Sequence, residues 1–175
     1  MIETERLILR RWREADRDPY ADMMVDPQVG NWLGGPFTRT QAYERVARFT
    51  ANLADTGLGR LAIERKSDGR MIGHCGLART PDTPPVPAGV EIGWALAPDA
   101  WGFGFAVEAA GAVIIDGFAR GDVAEILAFT GATNLRSEAV MQRLGMARLA
   151  QRDFDHPALA PDHPLRRHVV YSIRR

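Results

Sequence analysis

Hydrophobic positions along the chain switch between the two-residue spacing of strands and the three-to-four-residue spacing of helices. Residues 6–12 alternate charged and apolar side chains, which predicts a first strand. Helical spacing follows over residues 14–26. It returns after Thr38 or Thr40, either of which can cap a second helix that ends near Gly57.

The middle of the chain predicts strands joined by turns. Strands over residues 60–66 and 71–78 flank Ser67-Asp68-Gly69, which is typical of a hairpin turn. The segment from Thr80 to Pro87 holds four prolines and therefore predicts a loop. The next strand covers residues 90–96, with its larger apolar side chains on one side.

The last third of the chain predicts two helices, over residues 104–120 and 134–144, around a strand at 124–130. Two further strands, at 147–154 and 167–173, are separated by a loop that contains prolines and histidines. No internal repeat divides the sequence. These elements together predict a single α+β domain with a mixed sheet, covering residues 1 to 175.

The composition is typical of a soluble globular protein and argues against two classes of partner. Lys plus Arg and Asp plus Glu are both 22, so the formal net charge is zero. Such a chain lacks the basic excess of most nucleic-acid-binding proteins. The longest apolar run, Ala109 to Ile115, is far shorter than the ~20 residues that span a bilayer. We therefore expect a cytoplasmic protein with neither a nucleic-acid nor a membrane partner.

Cysteine and histidine usage predicts no metal site and no disulfide. The single cysteine, Cys75, excludes an intrachain disulfide and any multi-cysteine zinc site. The four histidines show no metal-binding spacing such as H-E-x-x-H. His74 and Cys75 are neighbours on a predicted strand, so their side chains should point to opposite faces rather than form a nucleophile–base pair.

The most informative segment lies between the strand at 90–96 and the helix after it. Gly102 and Gly104 stand where that helix begins, and free N–H groups there can hold a phosphate. A plain chain reversal would show the same pattern. The segment is neither a Walker motif, since no Gly-Lys-Ser/Thr triplet exists, nor a dinucleotide fingerprint, since Val107 replaces the third small residue.

The run from Trp101 to Ala109, Trp-Gly-Phe-Gly-Phe-Ala-Val-Glu-Ala, resembles the pyrophosphate-binding turn of the Gcn5-related N-acetyltransferases (GNAT superfamily). It is most similar to the RimJ/RimL-like branch, which acetylates the N-termini of ribosomal proteins. Further segments agree in order and spacing, so that the resemblance covers essentially the whole chain. They are Thr4–Arg10, Met71–Leu77, Asn134–Ser137 followed by Leu144-Gly145-Met146, and Val170–Ser172.

The resemblance implies a mixed, mostly antiparallel central sheet, splayed in the middle and flanked by helices. Acetyl-CoA, as co-substrate, would occupy the wedge between the strand that ends at Leu96 and the strand that ends at Thr130. Backbone groups of Ala95, Leu96 and Ala97 would hold the pantetheine and the acetyl carbonyl. The predicted pyrophosphate turn consists of Trp101, Gly102, Phe103, Gly104, Phe105 and Ala106.

Glu91 and Ser137 are the residues predicted to take part in the chemistry. Glu91 faces away from the apolar side of its strand and could accept the ammonium proton through water; an ordinary solvated carboxylate is the alternative. The tyrosine that many family members carry seven residues after Asn134 is replaced by Met141. The resemblance therefore implies Ser137 as hydrogen-bond donor to the thiolate, with Tyr171 as the fallback. Asn134 either caps its helix or contacts pantetheine.

The expected activity is direct acetyl transfer, in a ternary complex, to a protein N-terminal α-amine. Such an amine has a pKa of about 7.7–8.0 and is roughly a quarter neutral near pH 7.4, against ~0.1% for lysine. A small amine (an aminoglycoside or polyamine) and a catalytically silent acyl-CoA-binding module are the alternatives. A homodimer is compatible with the family. His156 and His163 are expected at the surface, with a loop that borders the acceptor site as the alternative. Trp32 and Phe37 are expected to pack in the protein, with a lid that lines the acceptor site as the alternative.

Overall fold

A computed structural model describes residues 1–80 and 84–175, and these form a nine-stranded sheet with five α-helices. The helices are α1 Arg17–Val25, α2 Pro27–Gly30, α3 Arg39–Thr56, α4 Phe105–Ala119 and α5 Leu135–Arg143. The strands are β1 Ile2–Glu3, β2 Leu7–Arg10, β3 Arg60–Arg65, β4 Met71–Thr80, β5 Gly89–Leu96, β6 Glu125–Gly131, β7 Ala147–Arg148, β8 Phe154–Asp155 and β9 Arg167–Arg174.

The strands lie in the order β1-β2-β3-β4-β5-β6-β9-β7, and β8 also pairs with β9. Within the described residues, β5 and β6 form the only parallel pair, and they are in register only at Val90 with Ile126 and Glu91 with Leu127. Beyond Glu91 the two strands separate, although β5 continues to Leu96. The predicted α+β fold, with a mostly antiparallel sheet splayed in its middle, is confirmed.

The two faces of the sheet are covered by different helices. The first face packs against α4 and α5, and its core includes Cys75 and Val113. The other face packs against α1 and α3 over the β3–β4 half of the sheet, where the ring of His74 lies 5.7 Å from that of Tyr20 and 5.2 Å from that of Phe49. His74 and Cys75 thus point to opposite faces, as the strand alternation predicts.

Helix boundaries follow local signals. Thr38, rather than Thr40, caps α3: its hydroxyl accepts a hydrogen bond from the Gln41 N–H at 3.2 Å. Gly57 ends the same helix in the left-handed conformation, with φ 70°. Glycine adopts this conformation without a steric cost, which makes it a frequent helix terminator.

The predicted strand over residues 147–154 is wrong. The structure places β7 and β8 there with a short 3-10 helix, Ala150–Arg152, between them. Asp153 closes this interruption, since its carboxylate accepts hydrogen bonds from Arg148 at 2.5 Å and from the Val170 N–H at 3.1 Å. The predicted proline loop is only partly covered, because β4 runs to Thr80 and Pro81 lies outside the described residues.

Candidate functional site

The turn before α4 leaves a row of backbone N–H groups unused. Gly102 and Gly104 have φ of 84° and 81°, in the left-handed region that strongly favours glycine. In the described part of the chain, the backbone amides of residues 102–107 have no hydrogen-bond acceptor. Nothing lies within 4 Å of the position that a Cβ on Gly102 would take. The turn therefore presents free donors and open space to an anion.

The first residues of the chain hold this turn in place. Glu108 in α4 accepts hydrogen bonds from the Thr4 hydroxyl at 2.6 Å and from the Arg6 backbone N–H at 2.9 Å. The Arg6 guanidinium also donates to the Phe103 carbonyl at 3.0 Å and lies 4.7 Å from the centre of the Phe105 ring. Burial alone would raise the pKa of Glu108, but the hydrogen bonds from Thr4 and Arg6 lower it below its ordinary value.

The free edge of β5 faces the gap left by β6. The Ala97 N–H donates to the Ile72 carbonyl at 2.9 Å, so by the alternation of an antiparallel ladder this N–H and the backbone groups of Ala95 point toward β4. Those of Trp94 and Leu96 point into the gap. Sequence reasoning included Leu96 but missed Trp94, because the side of a strand that loses its partner is set by the sheet and not by local pattern.

Trp101 anchors the start of the turn to β5. Its indole Nε1 donates to the Leu96 carbonyl at 2.8 Å, and the Arg136 guanidinium lies 4.5 Å from the centre of its ring. Phe103 is largely exposed and stacks on Phe105 at 5.8 Å. These side chains therefore shape the turn, while Ala106 follows in the first turn of α4.

A cleft of about 230 Å³ passes through the sheet where β5 and β6 separate. On the α4/α5 face it is lined by Ile92, Trp94, Thr130, Asn134, Ser137 and Met141. On the opposite face it is lined by Arg45, Arg60, His74, Glu91, Phe129, His156 and His168. The splay therefore brings Glu91 and Ser137 into one cavity from opposite sides of the sheet.

Glu91 is held by a buried arginine. The Arg60 guanidinium donates to Oε1 of Glu91 and to the Gly76 carbonyl. It lies directly over Gly93, where an added Cβ would meet its Nη2 at 2.7 Å. The side chain of Glu91 is 21% exposed, toward the cleft. The freely solvated carboxylate considered from the sequence is therefore not what the structure shows.

Ser137 is oriented by Asn134. The Asn134 side chain caps α5, because its Oδ1 accepts the Ser137 N–H at 3.3 Å. Its Nδ2 donates to the Ser137 Oγ at 3.2 Å and to the Thr130 Oγ1 at 3.1 Å. Since Oγ accepts this bond, the Ser137 hydroxyl proton can be donated into the cleft. Tyr171 instead donates to Glu138 at 2.6 Å and is not among the cleft-lining residues.

Two histidines line the cleft beside Glu91. The ring centres of His156 and His168 lie 5.0 Å apart, and His156 is half-buried in the cleft lining, as in the alternative that its loop borders the site. The sequence could not show that its loop folds back over β9. The Nδ1 of His168 donates to the Arg166 carbonyl at 3.2 Å, and in the neutral ring this leaves the lone pair on Nε2. Burial lowers the pKa of both imidazoles.

His163, Phe37 and Trp32, the remaining candidates from the sequence, lie in different environments. His163 is not a cleft-lining residue, and its Nδ1 accepts the Leu165 N–H at 3.1 Å. Phe37 packs against the α1/α3 core as predicted, whereas Trp32 lines the cleft. Over residues 1–80 and 84–175, no group of three His, Cys, Asp or Glu side chains is arranged to hold a metal ion. No helix in these ranges is long and apolar enough to cross a membrane.

Known proteins are similar to this chain in sequence and in architecture. The family model of the acetyltransferase (GNAT) domain matches residues 6–147. An uncharacterized N-acetyltransferase, p20 of Bacillus licheniformis, is 31% identical over 119 residues, which cover 67% of this chain and 65% of that protein.

Solved structures agree with this match. An acetyltransferase from Agrobacterium tumefaciens strain C58 superimposes with a TM-score of 0.80 and 28% identity, over 99% of this chain and 94% of that one. RimL, a ribosomal L7/L12 α-N-protein acetyltransferase solved with coenzyme A, shares the fold with a TM-score of 0.76 and 17% identity, over 98% and 95% of the two chains. The chain therefore belongs to the GNAT acetyltransferases, enzymes whose homologues bind acetyl-CoA.

Proposed function

We propose that residues 1–175 form one acetyltransferase domain of the RimJ/RimL-like branch. It would transfer the acetyl group from acetyl-CoA directly to an amine in a ternary complex. The observation that carries this proposal is the cleft through the splayed sheet, which Glu91 and Ser137 line from opposite faces. Such a passage lets a thioester approach from the turn before α4 while an amine approaches from the other face.

The cofactor side would bind acetyl-CoA mainly through backbone groups. The pyrophosphate would accept hydrogen bonds from the free amides of residues 102–107, at the positive end of the α4 dipole. The pantetheine would lie along the open edge of β5 at Trp94 and Leu96 and pass Asn134. A carbonyl oxygen held there by a backbone N–H would be polarised for attack.

The acceptor side would supply the proton acceptor. The neutral amine attacks the thioester carbon, the carbon–sulfur bond breaks, and the ammonium proton passes through water to the free Oε2 of Glu91. His168 is a second candidate for this role, since its Nε2 carries a lone pair and burial keeps its pKa low. A carboxylate and a neutral imidazole in one cleft can share the proton transfer.

The leaving thiolate would be stabilised by the Ser137 hydroxyl. Coenzyme A leaves with its sulfur negatively charged, and a thiol with a pKa of about 8.5 does not require full protonation to leave. A hydrogen bond from a hydroxyl to such a charged group stabilises it by roughly 1.5–3 kcal/mol. Asn134, which donates to Ser137 Oγ, would keep the hydroxyl proton directed at the sulfur.

The proposed acceptor is a protein N-terminal α-amine. Two features support it: the shared fold with RimL, and the ordinary pKa of an α-amine, which leaves roughly a quarter of it neutral near pH 7.4. A small-molecule amine is the alternative acceptor.

Ligand-induced stabilisation and turnover together test the proposal. Coenzyme A at about 100 times its Kd should add about 2.7 kcal/mol to the free energy of unfolding, and NAD or ATP much less. Acetyl-CoA should then be consumed with members of a peptide and small-amine panel. Equal shifts with NAD and coenzyme A would refute the cofactor assignment. Coenzyme A binding without turnover of any amine would favour a catalytically silent acyl-CoA-binding module.

A further inference from the structure

Arg45 brings a positive charge to the cleft that no protein carboxylate neutralises. It projects from α3, and its guanidinium lies 5.1 Å from the centre of the Phe37 ring and 5.6 Å from that of Phe49. Among the described residues no acidic side chain is within ion-pair distance of it, and its Nε is buried without a hydrogen-bond partner. A guanidinium in this position is set to bind an oxyanion.

A second polar group in the cleft is also without a hydrogen-bond partner. His74 lines the same cleft, is 3% exposed, and has a buried Nδ1 without a hydrogen-bond partner. Buried polar groups are nearly always hydrogen-bonded in folded proteins, so two such atoms on residues that line one cleft, Arg45 Nε and His74 Nδ1, indicate a polar ligand.

The net charge of the cleft lining indicates that this ligand is negatively charged. Its charged residues are Arg45, Arg60 and Glu91, and the last two neutralise each other. One positive charge remains. A polyamine or aminoglycoside would bring several positive charges into the cleft. The only carboxylate among the described lining residues is already paired with Arg60, so these charges would be repelled without a compensating attraction.

We propose that Arg45, supported by His74, binds a carboxylate of the acceptor, so that the substrates are amines carrying a carboxylate a few atoms from the nitrogen. This inference rests on the proposed acetyl transfer. The carboxylate would lie at Arg45 with the amine directed at Glu91. At about 230 Å³ the cleft is smaller than the ~300–1,000 Å³ of sites for drug-sized ligands. A free amino acid, or a peptide N-terminus with an acidic residue next to it, has the required chemistry.

Product analogues test the inference without any turnover. With coenzyme A present, calorimetry would compare N-acetylated amino acids with their amides, pair by pair for the twenty side chains. N-acetylated Xaa-Asp and Xaa-Glu peptide amides would be compared with their Asn and Gln counterparts. We expect at least one carboxylate to bind 10-fold or more tighter than its amide. The type of pair that responds distinguishes a free amino acid from an acidic peptide.

Arg45→Met keeps the length and the apolar stem of the side chain while removing the charge. It should reduce the carboxylate preference to within about threefold, the effect of losing one charge-assisted hydrogen bond. Arg45→Lys should retain part of it. Arg48→Met, on the exposed side of the same helix, is the matched control and should leave both affinities unchanged. Coenzyme A binding should be the same in all three variants.

Each result decides between separate claims. Equal binding of carboxylate and amide across all pairs, or an equal loss for both in Arg45→Met, would overturn the anion site, since a purely structural arginine would affect both ligands alike. Tighter binding of spermidine than of any carboxylate amine would overturn it as well. A preserved carboxylate preference with no acetylation of the matching amines would leave the anion site standing and refute the proposed transferase function.

Discussion

The two sides of the cleft are formed by different kinds of groups, backbone amides on one side and side chains on the other. The cofactor side is a continuous segment, residues 102–107, whose donors are backbone N–H groups exposed by two glycines with positive φ. The acceptor side is assembled from side chains on separate elements: Arg45 on α3, Arg60 on β3 and Glu91 on β5. A site made of backbone groups tolerates many different side chains, so it can stay the same while the sequence changes. A site made of side chains can bind a different acceptor after a few substitutions. Damage to one side should therefore spare the other.

Gly104→Val should abolish coenzyme A binding while the domain stays folded. A branched side chain at φ 81° costs roughly 1–2 kcal/mol of backbone strain and fills the space in front of the free amides. Calorimetry measures binding and circular dichroism measures folding. Gly121→Val is the matched control, because Gly121 has φ 88° and open surroundings far from the turn. A folded Gly104→Val protein with normal affinity would show that the turn is only a chain reversal.

Glu91→Gln should lower kcat about 10²–10⁴-fold at neutral pH, because the cleft loses its carboxylate proton acceptor. Coenzyme A affinity should barely change, and glutamine can still accept the bond from Arg60. Steady-state kinetics with a pH profile would measure both. Glu125→Gln removes another arginine-paired strand carboxylate outside the cleft and should keep full activity. An unchanged kcat in Glu91→Gln would transfer the role to His168.

Ser137→Ala should lower kcat about 10–150-fold, the rate equivalent of one hydrogen bond to a charged sulfur. The KM for acetyl-CoA should stay within about threefold, since the bond forms mainly as the thiolate develops. Tyr171→Phe is the comparison, and we expect it to retain activity because its hydroxyl is bound to Glu138. A loss confined to KM would instead assign Ser137 to ground-state cofactor binding.

Mild acid should destabilise the acceptor side through His74. Burial, with the nearby positive charges of Arg45 and Arg60, lowers the pKa of His74 well below 6.5, so the unfolded chain takes up a proton there that the folded chain refuses. The stabilising contribution is complete well above pH 6.5, where the unfolded ring is also neutral, and is lost as the pH falls through and below 6.5. Between pH 7.5 and 5.5 the loss should be on the order of 1 kcal/mol. Denaturant unfolding should show that the free energy of unfolding depends less on pH in His74→Phe than in the unsubstituted protein. An equal pH dependence in the two proteins would contradict the assignment.

Local signals predicted most of the fold. Thr38 and Gly57 bound α3 through side-chain and backbone geometry contained within a few residues of each helix end. Strand alternation placed Glu91 and His74 on the correct face, because side-chain direction in a strand depends on position alone. The positive φ values at Gly102 and Gly104 agree with the tight turn that the two glycines predict at the start of α4.

Contacts between distant segments could not be predicted in this way. Arg60 reaches Glu91 across 31 residues of sequence, and nothing near either residue indicates the pairing. The break in the strand predicted at 147–154 depends on Asp153 reaching the Val170 N–H of another strand. His156 enters the cleft because its loop returns over β9. The acceptor side is thus the part of the site that needs three-dimensional information.

The position of the single cysteine has a practical consequence for measuring turnover. Cys75 is fully buried, and burial raises the pKa of its thiol to about 12. Since the thiolate is the reactive form, the folded protein should be inert toward thiol-specific dyes. A colorimetric assay of released coenzyme A would then count product alone, without background from the enzyme. The same dye would report unfolding, because one further equivalent of dye that reacts slowly could react only with Cys75 after the core has unfolded.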